Sequence, residues 1–281
     1  MGLAGVVVAV VYSARFSRSI TAPVDKLVEG TQRVSAGDFT VPIDVQTGDE
    51  IGHLAQSFNS MLQGLREREA IGKFVSQSTI EAIQGNLHGM SAQGQRTTLT
   101  VFFSDIRGFT ELTEKRAPEE VVKILNYCLS LQAQIVKKYG GDIDKFVGDC
   151  VVAHFYESGA NRSAMDAIQC SIEIEKALEK FNATLAEGER IEVGIGLVTG
   201  EVVLGSIGSE DRRDFTAVGS NVNLASRLCG MAGAGEILLA ESCYNRVKDE
   251  VPAERLAPLT VKGFSTPIPV YRITVAAKAT A

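Results

Sequence analysis

The apolar positions of this chain change rhythm three times. Residues 2–12, GLAGVVVAVVY, are continuously apolar and are followed by Arg15 and Arg18. A bilayer span takes about 20 residues, so this run is too short to cross alone. Its cationic flank lies on the side expected to face the cytoplasm. A secretory signal carries its charge before the apolar run, not after it. Residues 1–14 therefore read as the inner end of a transmembrane helix, which would hold the chain at the inner membrane with the remainder in the cytoplasm.

The second rhythm is helical. Ile20, Val24, Leu27 and Val34 recur at alternating steps of four and three, with Thr31 in the intervening place, and Ile51, Leu54, Phe58, Met61 and Leu65 repeat it without a gap. This is the a/d spacing of a coiled-coil seam. Asp49 and Glu50 open the second helix, where its dipole favours them. The connector GDFTVPIDVQTG, residues 37–48, decides the topology. Ten extended residues reach about 33 Å, and a helix of about 18 residues is about 27 Å long. The chain can thus return to its starting end and leave the two helices parallel. Phe39, Val41, Ile43 and Val45 alternate, so one side of the connector can lie along the helices. Two chains would then build a parallel four-helix bundle. Residues 69–94 read as a coupling helix and a Gly-rich polar linker.

From Thr97 the pattern becomes mixed. TLTVFFSD reads as a strand, and 118–140 as a long amphipathic helix with Pro at its start and Gly at its end. A strand pair follows at 142–156, a second long helix at 161–185, then strands in IEVGIGLVTGEVVLGSIG, with further strands near VKGF and VYRI. The order β-α-β-β-α-β is the ferredoxin-like arrangement of an α+β fold.

Composition narrows this picture in three ways. A length of 281 residues suits about two domains. The net charge of −6 argues against a nucleic-acid scaffold, because nothing neutralises a phosphate backbone at large. Five cysteines, at 128, 150, 170, 229 and 243, form no CxxC pair, which argues against zinc and a disulfide framework and for reduced, mostly buried thiols.

The candidate chemistry begins with Asp105, at a strand end before a Gly-containing turn. Backbone N–H groups near Gly108, Phe109 and Thr110 can point at phosphate oxygens. Asp149 shares a two-residue hairpin turn with Gly148. Alone, either aspartate is an ordinary cap or turn residue. If their strands are neighbours, the two carboxylates lie at one sheet edge and, with triphosphate oxygens, suit two Mg²⁺ or Mn²⁺ ions. Such a pair can bracket an in-line displacement at phosphorus. Asn223 and Arg227, four apart, share a helical face that suits a ribose oxygen and a phosphate gaining charge. Lys262, before a Gly, could hold terminal phosphates.

Two resemblances follow from these motifs. Pro23, the Gly37-Asp38 step and DEIGHLAQSFNSML at 49–62 make residues 15–68 resemble a HAMP domain, a dimeric link between a membrane sensor and a cytoplasmic output. FSDIRGFT, KFVGDCVVAHF, VGIGLVTGEVVLGSIG, DFTAVGSNVNLASRL and VKGF make residues 95–276 resemble the catalytic domain of class III nucleotidyl cyclases. The resemblance implies Asp105 and Asp149 as metal-binding carboxylates assisted by the Ile106 carbonyl. Lys145 and Thr216 would contact the purine, Asn223 would position the ribose, Arg227 would stabilise the transition state, and Lys262 would bind the β/γ-phosphates. It also implies a homodimer with each site shared between subunits. A Lys donor with a hydroxyl acceptor suits adenine, whereas guanylyl relatives typically carry an acidic residue and a Cys there. The expected activity is conversion of ATP to 3′,5′-cyclic AMP and pyrophosphate. The alternatives are a guanylate cyclase, a non-catalytic dimeric domain, and diguanylate synthesis suggested by Gly140-Gly141-Asp142. In that last family Glu-Phe follows the triplet, where this chain has Ile143-Asp144.

Overall fold

A computed structural model describes residues 2–72, 76, 79–80, 94–157, 162–185, 190–210, 213–260, 264 and 266–274. Most of the expected linker at 69–94, and Lys262, lie outside the described residues. The chain forms two compact units, Met1–Val75 and Ser76–Ala281.

In the first unit, helix α1 spans Gly2–Phe16, and a π-helical turn at Ser17–Thr21 joins it to α2, Ala22–Ser35. Helix α3 spans Glu50–Gly72. No described helix is long and apolar enough to cross a membrane. The connector lies along the helices, as its alternation predicts. Ile43 is buried with Leu27 and Ala55, and Asn59 of α3 accepts from the Ile43 N–H and donates to its carbonyl, at 2.8 and 2.9 Å. Lys26, early in α2, donates to the Asp44 carbonyl at 2.7 Å. Arg66, late in α3, donates to the carbonyl of Phe39, just past the end of α2. Early meets early and late meets late, so the two helices run parallel. Ile20, Val24, Leu54 and Met61, four of the nine seam positions, remain exposed.

In the second unit an eight-stranded sheet carries the fold. Its strands are β1 (Gln95–Ile106), β2 (Asp142–Val147), β3 (Cys150–Tyr156), β4 (Val193–Gly208), β5 (Arg213–Val218), β6 (Glu236–Ala240), β7 (Glu254–Arg255) and β8 (Val270–Thr274). The order is β2-β3-β1-β4-β6-β8-β7, with β5 paired to β4. The expected β-α-β-β-α-β sequence is present. After β1 come the short α4 (Phe109–Lys115) and long α5 (Pro118–Lys138), and α6 (Ser163–Asn182) precedes β4.

Strand alternation splits the core into two layers. On β1, Phe102 and Ile106 join the cluster under α5 and α6, which includes Ile135, Ile168 and Ile174. Leu99 and Val101 face the other way, toward Leu224 and Leu228 of α7, Ser220–Met231. Each such side chain removed from water contributes about 1.5–3 kcal/mol. Helix α7 lies close on β4 because Gly196 has no side chain. A Cβ there would overlap the backbone N of Cys229 and the backbone O of Ala225.

Candidate active site

β1 and β3 are antiparallel neighbours, with Ser104 opposite Val151. The pairing of Val147 with Cys150 closes β2 and β3 over a two-residue turn at Gly148-Asp149, and Gly148 takes a φ of +63°, the left-handed region that turn requires. These two facts bring Asp105 and Asp149 to one sheet edge, close enough for the charge of Asp105 to act on the Asp149 carboxyl. Burial, followed by the charge of Asp105, pushes the Asp149 carboxyl up, while the Arg107 guanidinium pulls it the other way. Arg107 donates to Asp105 Oδ2 at 2.9 Å and contacts Cys229 Sγ at 3.8 Å. The Cys229 thiol donates to the Gly194 carbonyl at 3.1 Å and is pushed up by its contact with Cys150 and by burial.

Two half-buried carboxylates crowding each other suit a divalent cation, whose charge removes their mutual repulsion. No group of three or more His, Cys, Asp or Glu suited to a metal occurs among the described residues. A cation here would therefore take its remaining ligands from carbonyl, water or phosphate oxygen. Ile106 is buried at the end of β1. Gly108, with φ +70°, caps α4, and Phe109 and Thr110 open it.

A second group forms around β2. Thr216 of β5 donates its hydroxyl proton to Asp144 Oδ2 at 2.7 Å, across 72 residues of sequence. Lys145 Nζ is 3.6 Å from the same oxygen. Lys145 and Thr216 are thus brought together through Asp144, a residue the sequence motifs pass over. Behind them His154 is buried with Nε2 unpartnered among the described residues. Burial pushes its imidazole down, against the pull of Asp144 and Asp142.

Helix α7 carries the third group. Asn223 is exposed. Arg227 is half-buried, and its Nη1 is buried without a hydrogen-bond partner among the described residues. An unpaired guanidinium nitrogen suits an anionic ligand. Among the described residues no hydrogen bond or ion pair joins the carboxylate pair to Lys145, Thr216, Asn223 or Arg227. Arg107 and Asp144 are the residues that sequence reasoning missed. Arg107 stood inside the FSDIRGFT motif, where its charge beside Asp105 was a usable signal. Asp144 gave no such signal, because adjacent strand residues ordinarily face opposite ways.

Comparison with known proteins places both units in families. The family model for the adenylate and guanylate cyclase catalytic domain matches residues 92–274, and the model for the HAMP domain matches residues 15–67. Adenylate cyclase 1 of Rhizobium meliloti is 34% identical over 278 residues, covering 95% of this chain and 41% of that protein. The chain spans less than half the length of that relative. The crystal structure of the adenylyl cyclase CyaB from P. aeruginosa is similar at a TM-score of 0.61 and 38% identity, over 67% of this chain and 99% of that one. The guanylyl cyclase Cya2 is similar at 0.59 and 34%, over 64% of this chain and 92% of that one. Overall likeness extends to both kinds of cyclase, so the choice of base rests on individual side chains.

Proposed function

The chain belongs to the adenylate and guanylate cyclase catalytic-domain family, and from that premise we propose that it converts ATP to 3′,5′-cyclic AMP and pyrophosphate. The observation that carries the choice of ATP is the convergence of Lys145 and Thr216 on one spot. A Lys donor and a hydroxyl acceptor match the N1 acceptor and N6 donor of adenine. Asp105 and Asp149, with the Ile106 carbonyl, would hold two Mg²⁺ or Mn²⁺ ions. When bound, these lower the pKa of the ribose 3′-OH and offset charge at phosphorus. Asn223 orients the ribose, and the Arg227 guanidinium stabilises the negative charge that develops on the α-phosphate. The N–H groups of Gly108, Phe109 and Thr110 serve the phosphates, as does Lys262.

The working unit in this proposal is a homodimer. Phe146 and Val147 of β2 are 47% and 58% exposed, and Val203, Ile207 and Val218 of β4 and β5 are 37%, 44% and 50% exposed. A second copy covering that apolar surface supports sharing of each site between chains, carboxylates from one and Lys145, Thr216, Asn223 and Arg227 from the other. The HAMP segment regulates the cyclase in signal transduction through its exposed seam positions, packed as a coiled coil in the dimer. The apolar run of α1, with Arg15 in its last turn and Arg18 just beyond it, supports attachment to the inner membrane with the catalytic unit in the cytoplasm.

Purified protein supplied with Mn²⁺ and either ATP or GTP tests the reading. Cyclic AMP should form from ATP well in excess of cyclic GMP from GTP. Turnover of GTP alone would overturn the assignment of base and substrate.

A further inference from the structure

In a regular strand, Asp144 and Lys145 would point to opposite faces. They do not. The ladder pairs Ile143 with Ala153 and Lys145 with Val152, so Asp144 is one extra residue without an opposite number. This is a β-bulge, which re-aims the side chains around it. The Asp144 side chain is left 4% exposed, held against Lys145 and Thr216 at a single oxygen.

That arrangement decides what the hydroxyl can offer. A threonine hydroxyl has one proton and two lone pairs, and by itself it both donates and accepts. An ionised carboxylate only accepts, and an ammonium only donates. Paired with the Lys145 ammonium, Asp144 takes the Thr216 proton, so the hydroxyl presents only lone pairs to anything else.

We propose that Asp144 is a positioning residue for base selection, fixing Lys145 and Thr216 as a donor-plus-acceptor pair by holding the Thr216 proton. Adenine meets such a pair with matching polarity. Guanine meets it with opposed polarity, O6 facing an acceptor and N1–H facing a donor. Without Asp144 the hydroxyl can rotate and donate to O6. Lys145 still opposes N1–H, so the preference for ATP falls without inverting. The inference rests on the reading of Lys145 and Thr216 as base contacts.

The experiment measures kcat/KM for ATP and for GTP with Mn²⁺ on the full chain. In Asp144→Ala the ATP/GTP ratio should fall about 10- to 100-fold, the range for relieving one unmatched buried polar group. Asp144→Asn keeps an acceptor oxygen and should retain part of the preference. In a Thr216→Val background, Asp144→Ala should change the ratio no further, since the proton it controls is gone. If Asp144→Ala does not fold, Asp144→Val carries the same comparison. A purely structural role lowers both values of kcat/KM together and leaves the ratio within about twofold of wild type, and that result overturns the inference. An undiminished effect in the Thr216→Val background overturns it as well. A wild-type enzyme with no preference for ATP overturns both this inference and the base assignment beneath it. A wild-type preference that survives Asp144→Ala overturns the inference alone.

Discussion

Asp144 and Asp149 sit on one hairpin, yet their carboxylates live in opposite circumstances. Asp144 faces a hydroxyl donor and an ammonium, so its charge is answered within the chain. Asp149 faces Asp105, and burial and that neighbour push its carboxyl up. The same functional group is satisfied in one place and frustrated in the other. The comparison teaches that residue type and strand position do not set a carboxylate's task; its neighbours do. A satisfied carboxylate orients what touches it, whereas a crowded pair attracts positive charge.

The sharpest way to break this contrast is to remove each charge in turn. Asp149→Asn should reduce cyclic AMP formation by about 10³-fold or more, because an amide cannot replace a charged metal ligand. The same change should raise the melting temperature in metal-free buffer, read by scanning fluorimetry, because it ends the repulsion from Asp105. Asp144→Ala should do the reverse, lowering the melting temperature while ATP turnover remains measurable. A fall in stability for Asp149→Asn would sink the idea that the pair is frustrated.

Next in size is recovery by mixing. Asp105→Ala chains and Arg227→Ala chains, each inactive alone, should regain about a quarter of wild-type turnover together. Half of randomly formed dimers are mixed, and each mixed dimer has one intact site of two. No recovery would count against sites shared between chains. Gly196→Ala tests the frame instead of the charges. It forces α7 away from β4 and should cost about 1–3 kcal/mol, lowering turnover of ATP and GTP alike. A shift in nucleotide preference there would mean that α7 helps choose the base.

The smallest effect comes from a third carboxylate, Glu175, on α6. Burial and then Glu192 push it up to about 7 from 4.5, and its Oε1 is buried without a hydrogen-bond partner among the described residues. Because the folded value lies above the unfolded one, the folded chain holds its proton longer. Stability is therefore complete below about pH 4.5 and declines as pH rises through about 7. Glu175→Gln stays neutral throughout, so the difference in unfolding free energy between pH 5 and pH 8 should shrink by about 1–2 kcal/mol. Denaturant titrations at the two pH values measure it.

Much of this was readable in advance. The helix expected at 118–140 is α5, stopped as predicted by Gly140 at φ +73°. The neighbouring strands that would unite Asp105 and Asp149 are present as β1 and β3. The parallel helices of the first unit are the arrangement that the connector's length allowed. The glycines of 193–208 hid the continuity of β4, since Gly200 and Gly205 look like breaks. They mark close approaches instead, to the Asn221 side chain and to the Gly94 backbone. Asp144 was illegible for a related reason. Periodicity assumes a regular ladder, and a bulge is a local departure that only pairing partners reveal.

That single extra residue also shapes how the chain can vary. A bulge is a change of parity, so deleting Asp144 or Ile143 from β2 would restore an even ladder. Composition, charge and core would hardly change, and the hairpin would pair more regularly than before. Yet the side chain before Lys145 would turn to the opposite face and release Thr216. In this strand a one-codon deletion would loosen the site's choice between nucleotides while leaving the rest of the hairpin paired.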